Sequence, residues 1–194
     1  PLPVRLPASQ WLHQERWVPA RRSEAPLTRE DECVLIVRTA ADDQAERAEE
    51  FRNAHKLGAT VVFGNRFSRT AKSTWMIRHA ESDDYRSLFE ALRLAGRLPT
   101  RVIHIAMTAE PAPAYDALSL ARSAVDLALL ARELHDAAKT RVVRLGVVVR
   151  NAIRAVDGDT VTPARGALRG LVETMALEFP QVASTMLDVD DHAL

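Results

Sequence analysis

The sequence predicts an α/β fold, a mostly parallel sheet with helices on both faces, and three observations predict it. Short apolar runs alternate with longer amphipathic segments from Cys33 to Val189, the pattern of parallel strands joined by crossover helices. The run Arg141–Val149 is almost wholly apolar in its second half, as a strand buried on both faces is. Glycines stand where helical segments should stop, at Gly58 and Gly96, because a helix C-terminus favours the left-handed conformation that glycine adopts freely.

The elements follow in order. Val34–Val37 is the first strand, and Asp42–His55 a helix with Ala45, Ala48, Phe51 and Ala54 or His55 near one face. Ala59–Phe63 is the second strand, closed by Gly64, and Asn65–Ser73 a polar, basic loop. Trp75–Ile77 is a short third strand. Asp83–Ala95 is a helix with Tyr85, Leu88, Phe89 and Leu92 on one side. Arg101–Met107 is the fourth strand. The longest helix runs over Tyr115–Ala138, with an apolar face at Leu118, Ala121, Val125, Leu129 and Leu130. Arg141–Val149 is the fifth strand, and Gly158 marks a turn. Pro163 opens a last helix to Phe179, since proline fits a first helical turn, and Thr185–Val189 is the final strand.

The 194 residues suffice for one sizeable core. Residues 1–30 read as an N-terminal arm or interdomain linker: Pro1, Pro3 and Pro7 oppose regular helix, and Trp11 and Trp17 pin the arm to a larger body. Residues 31–194 form the domain. Lys plus Arg equals Asp plus Glu at 26 each, so no net field draws nucleic acid or an anionic membrane. No apolar run has the length of a membrane span, and the N-terminus lacks a signal-peptide pattern. A single cysteine, Cys33, fits a buried structural thiol and a cytoplasmic setting. The start at Pro1 rather than Met fits a piece of a longer polypeptide.

The chemistry-bearing patterns are read against what the fold would need. A dinucleotide site needs a glycine-rich turn after the first strand, so that backbone can approach the pyrophosphate at a helix N-terminus. Here the turn is Thr39-Ala40-Ala41-Asp42-Asp43, without glycine and with two carboxylates, of which Asp42 or Asp43 would serve as a helix N-cap. Carbonyl reduction on this fold needs a tyrosine four residues before a lysine that lowers its pKa. Four residues beyond Tyr85 and Tyr115, the only tyrosines, stand Phe89 and Ser119. The six histidines, His13, His55, His79, His104, His135 and His192, have no metal-ligand spacing, and His104 reads as a satisfied core histidine. Asp188, Asp190 and Asp191 read as a solvated strand end rather than a cation site. Gly166 to Gly170 reads as a small-residue pattern for close helix-to-sheet packing. No catalytic, cofactor-binding or metal-binding residue is assigned.

Trp75, Asp84-Tyr85, Leu88, Leu92, Gly96, Pro99 and Val102-Ile103-His104 together resemble a stretch of modular polyketide synthase ketoreductases, in their N-terminal structural subdomain. Pro163-Ala164-Arg165-Gly166-Ala167-Leu168-Arg169-Gly170-Leu171, Ala176-Leu177-Glu178-Phe179-Pro180 and Leu187-Asp188-Val189-Asp190 look like that subdomain's ending. Trp11 and Trp17 are similar to its beginning, and Leu6-Pro7 to Trp17 resembles linkers between synthase domains. Two departures stand out: the family's strand usually continues His-Leu-Trp where this chain has His104-Ile105-Ala106, and the loop Asn65–Ser73 is unusually basic.

The resemblance implies a truncated Rossmann-like fold of the short-chain dehydrogenase/reductase kind that binds no cofactor itself. It implies a partner, the catalytic ketoreductase subdomain, which carries NADPH and follows Leu194 directly or after an inserted enoylreductase. The whole would reduce a β-ketoacyl group on an acyl carrier protein, among neighbouring synthase domains of a cytoplasmic multienzyme. Two other readings remain open: a pseudo-ketoreductase acting as an interaction or dimerisation module, and a stand-alone enzyme with an unrecognised site.

Overall fold

The computed structural model describes residues 32–39, 50, 52–53, 58–106, 117–139, 141–155, 157–159 and 161–189. Trp11, Trp17, the 1–30 arm, Asp42, Asp43, Tyr115, Asp190 and Asp191 lie outside them. Of the helix expected over Asp42–His55, the described positions Glu50, Arg52 and Asn53 are helical.

Seven strands form one sheet in the order β3-β4-β2-β1-β5-β6-β7. They are β1 (Val34–Arg38), β2 (Ala59–Phe63), β3 (Ser68–Ala71), β4 (Thr74–Ile77), β5 (Arg101–Ile105), β6 (Val143–Arg150) and β7 (Val182–Val189). Every pairing is parallel except that of β3 with β4. The described helices are α1 (Ser82–Leu94), α2 (Ala117–Ala138) and α3 (Pro163–Glu178). The mostly parallel, Rossmann-like sheet agrees with the sequence.

Strand alternation divides the sheet. Leu35, Val37, Val61, Phe63, Trp75, Ile77, Val102, Val143, Leu145, Val147 and Val149 face one way and join Tyr85, Leu88, Leu127, Leu130, Leu134, Leu168 and Val172 in the main core. The helices α1, α2 and α3 all pack on that face, α1 against α2 and α2 against α3.

Several element boundaries differ from expectation. The segment expected as a loop, Asn65–Ser73, contains β3, because an exposed edge hairpin needs only backbone pairing and Ser-Arg-Thr-Ala carries no apolar signal. Its Arg69 guanidinium lies over the Trp75 ring at 5.2 Å. β7 starts at Val182 rather than Thr185, and its pairing with β6 begins there too. β6 is shifted to Val143–Arg150, while β5 closes at Ile105 rather than Met107.

On α2 the apolar face has a different phase from the expected one. The buried stripe is Leu127, Leu130, Ala131, Leu134 and Ala138, whereas Leu118 and Val125 are 57% and 43% exposed. A helix apolar on several sides does not reveal by periodicity which side meets the sheet.

Two terminations agree with the sequence. Gly96 has φ +66°, with its N–H bonded to Arg93 O and the Arg97 N–H to Leu92 O, the paired bonds of a glycine-closed helix end. Pro163 occupies the first turn of α3. A Cβ at Gly166 would stand 2.9 Å from Ala152 O, whereas one at Gly170 would meet nothing among the described residues, so of the two Gly166 is the one that serves close packing there.

Candidate functional site

In open α/β sheets, ligands bind beyond the carboxyl ends of the strands. Phe63 closes β2 there, His79 follows β4, and His104 stands near the end of β5. The helices α1 and α2 bring Tyr85 and Asp126 to the same place. Asp126 is 1% exposed. Its Oδ1 accepts the Ala80 N–H at 2.7 Å and the Tyr85 hydroxyl at 3.0 Å, and its Oδ2 lies 2.6 Å from His79 Nδ1. A carboxylate there requires the His79 Nδ1–H tautomer or the cation, so Nδ1 is the donor. Phe63 stacks on His79 at 4.0 Å between centroids and meets His104 edge-on at 6.3 Å.

His104 is the unexpected member. It is 2% exposed, as a core residue should be, but neither ring nitrogen has a partner among the described residues. The expectation of a satisfied core histidine is therefore half corrected: it is core, and unsatisfied. Burial pushes its pKa down to about 4, against the pull of the Asp126 carboxylate and with a smaller push from His79.

Beside this cluster, Asp84 anchors the chain between β4 and α1. It accepts the Arg78 N–H at 2.8 Å and the guanidinium at 2.7 and 3.1 Å. Those guanidinium bonds, reinforced by the backbone bond and charge of Arg78, hold its carboxyl below the usual range despite burial.

Cys33 is buried as expected, its Sγ–H donating to Arg97 O at 3.1 Å, and burial raises its pKa, the state of an inert thiol. Asp188 is exposed but not merely solvated. Its carboxylate accepts the Ala152 and Ile153 N–H groups at 2.7–3.0 Å and so fixes the turn after β6. A shallow groove of about 350 Å³ runs between α3 and β7, lined by Val172, Ala176, Ser184 and Met186 and flanked by the Arg169–Glu173 pair.

What can the carboxyl-edge cluster do chemically? A tyrosine that protonates a carbonyl needs a neighbouring cation to lower its pKa. Burial and the Asp126 carboxylate instead raise the pKa of Tyr85 well above the ordinary value. Asp126 has its oxygens on three donors of this chain. The described residues contain no group of three His, Cys, Asp or Glu side chains placed to hold a metal. The cluster ties α1, α2 and the turn after β4 together. Sequence reasoning missed it, although Asp126 between Val125 and Leu127 in an apolar helix was a legible sign of a buried acceptor.

Sheet order and helix placement define the class: a Rossmann-like domain, with a mostly parallel sheet and α1, α2 and α3 packed on one face of it. A keto acid-selecting NRPS module, solved with adenylation, ketoreductase and pseudo Asub domains, superposes with TM-score 0.75 at 20% identity, over 92% of this chain and 15% of that one. An N-terminal ketoreductase from the macrolactin assembly line gives 0.68 at 17%, over 82% and 32%. A short-chain dehydrogenase/reductase family oxidoreductase of Aeromonas hydrophila gives 0.53 at 20%, over 80% of each. These are likenesses of fold.

The family model for beta-ketoacyl synthase-like, N-terminal domains matches residues 34–194, and the chain belongs to that family. The phthioceranic/hydroxyphthioceranic acid synthase of Mycobacterium tuberculosis is 42% identical over 63 residues, 32% of this chain and 3% of that synthase. The matched stretch is thus a small fraction of its curated relatives.

Proposed function

We propose that this chain is the structural, non-catalytic half of a ketoreductase in a polyketide synthase, bracing a catalytic half that reduces a β-ketoacyl group on an acyl carrier protein with NADPH. The observation that carries the reading is a second apolar stripe on α2. Leu118, Ala121, Val125 and Ala128 recur at three- and four-residue spacing and are all exposed, while the opposite face of the helix is buried in the core. A helix apolar on two sides is a helix packed on two sides, and stripes of this spacing pack against a partner helix.

Two further observations support the absence of chemistry here. The turn after β1 lacks glycine, and Tyr85 is set by its surroundings against proton donation. The synthase relative and the ketoreductase-like fold favour a place within a larger polypeptide, among other synthase domains.

Titrating NADPH with the chain and following cofactor fluorescence tests the assignment of cofactor binding to the other half. The expected result is no saturable change at micromolar protein. Saturable quenching or enhancement would instead favour a self-contained enzyme.

A further inference from the structure

The sheet ends in two edge strands that are built differently. β3 has four residues, and its pairing with β4 slips between Arg69 and Ala71. The Arg69 side chain folds back over Trp75 and donates to the Ala71 and Lys72 carbonyls. Shortness, irregular register and a cation laid along the strand are means by which an edge is closed to further strands.

The other edge, β7, has none of them. It has eight residues, pairs with β6 in unbroken register from Val182 to Val189, and contains no lysine, arginine or proline. Its one charge, Asp188, is turned to the Ala152 and Ile153 N–H groups. The Val143 and Asn151 N–H groups donate to Gln181 O and Val189 O. The odd-numbered residues of β7 therefore point their backbone groups at β6, and the even-numbered ones point theirs outward. Among the described residues nothing bonds the outward N–H groups of Ser184, Met186 and Asp188.

The same stretch lines a groove. The space of about 350 Å³ between α3 and β7 meets Ser184, Thr185 and Met186 in succession. Side chains alternate along a strand, so a groove that meets three consecutive residues reaches the strand's backbone. Val172, Ala176 and Ile153 are its apolar walls. The Ser184 hydroxyl donates to Val172 O at 2.8 Å and fixes α3 beside the strand. On the opposite face of β7, Leu187 is 52% exposed.

We propose that β7 accepts a further strand: an extended segment, apolar at alternate positions, from a part of the synthase polypeptide outside residues 1–194. Backbone chemistry selects the occupant. A row of outward N–H and C=O groups is satisfied along its length by another extended backbone, and a groove beside such an edge receives every second side chain. Val172, Ala176 and Met186 make apolar side chains the ones that fit there, and the intervening ones would cover Leu187. The stretch matched in the curated relatives is a small fraction of them. A tethered segment of so long a polypeptide meets the edge at high effective concentration. The proposal rests on reading the chain as part of a synthase.

The test compares hydrogen exchange in the isolated chain with that in the natural synthase polypeptide that contains it, read residue by residue by mass spectrometry. The Ala183, Thr185 and Leu187 N–H groups, which face β6, should be protected in both. Those of Ser184, Met186 and Asp188 should exchange as exposed amides in the isolated chain and roughly tenfold or more slowly in the whole polypeptide. Met186→Pro removes one outward donor and leaves the β6 ladder intact. In the whole polypeptide it should return Ser184 and Asp188 to fast exchange, whereas Met186→Ala, which keeps the donor, should not. A benzophenone carried on Leu187→Cys should cross-link to one segment outside residues 1–194.

Fast exchange at Ser184, Met186 and Asp188 in both proteins would overturn the proposal. So would cross-linking to residues 1–31 of this chain or to a second copy of it. NADPH-dependent reduction by the same polypeptide is measured in parallel. Reduction by a polypeptide whose outward amides exchange fast would defeat the added strand and leave the ketoreductase reading standing, whereas slow exchange without reduction would do the reverse.

Discussion

Asp126 and His104 show how two buried polar side chains at one sheet edge take opposite roles. Asp126 is held by three donors, and removing it would leave the buried Tyr85 hydroxyl without its acceptor and release the part-buried bonds to the Ala80 N–H and His79. Asp126→Ala should therefore lower stability by about 3 kcal/mol, with Asp126→Asn less severe because it keeps an acceptor for the Ala80 N–H and Tyr85 hydroxyl. Urea unfolding at neutral pH measures both.

His104 is neutral in the fold because protonating it costs its hydration. Its folded pKa of about 4 lies below the ordinary value of 6.5, so below that value the unfolded chain binds the extra proton and the folded chain does not. Stability present above pH 6.5 is therefore lost as the pH falls toward 4. Between pH 7 and pH 5 the loss should be about 2 kcal/mol. His104→Leu should flatten that slope, and urea midpoints of the two proteins at both pH values check it. An identical slope in the variant would remove His104 as its source.

Among the elements, α2 has two jobs on two faces. Its buried stripe seats it on the sheet and its exposed stripe is offered outward. Val125→Asp changes an exposed position, so the isolated chain should unfold within about 0.5 kcal/mol of the parent. In the whole synthase polypeptide the same change should lower β-ketoacyl reduction several-fold, because it places a charge where a partner surface packs. Unaltered reduction would take the stripe out of the brace.

The same helix shows the reach and the limit of the sequence. The apolar spacing announces a helix, yet of the face it suggests Leu118, Ala121 and Val125 are exposed, while Leu129 is half-buried and Leu130 fully buried. Periodicity gives the angle between apolar residues, while the choice of inner face depends on where the neighbouring strands lie. β3 is illegible for a related reason: an edge hairpin of Ser68–Ala71 is held by backbone bonds that no side-chain pattern records. The parallel sheet is legible because buried strands such as Val143–Arg150 need apolar residues, as are the end of α1 and the start of α3, because Gly96 and Pro163 act through their own backbones. The Asp126 tie brings together residues 41 to 47 positions apart, a closure that local pattern cannot show.

At the scale of the molecule, one sheet presents two surfaces with different chemistry. The helical side ends in the apolar stripe of α2, and the β7 edge in a row of backbone groups that no described residue pairs. At its carboxyl edge, where a relative of this fold class would hold a ligand, the polar groups of the cluster either bind one another or, in His104, are sealed from water. In the function proposed above, a domain so arranged acts by packing. It should limit the motion of a catalytic half rather than perform the reduction.

The most direct measurement of that claim is NADPH consumption with a β-ketoacyl thioester by three samples: this chain, the synthase polypeptide lacking it, and the two mixed. The account predicts no turnover by the chain alone, weak turnover by the remainder, and a rise on mixing that saturates at one chain per partner. Turnover by the chain alone, or a remainder as active without it as with it, would contradict the account.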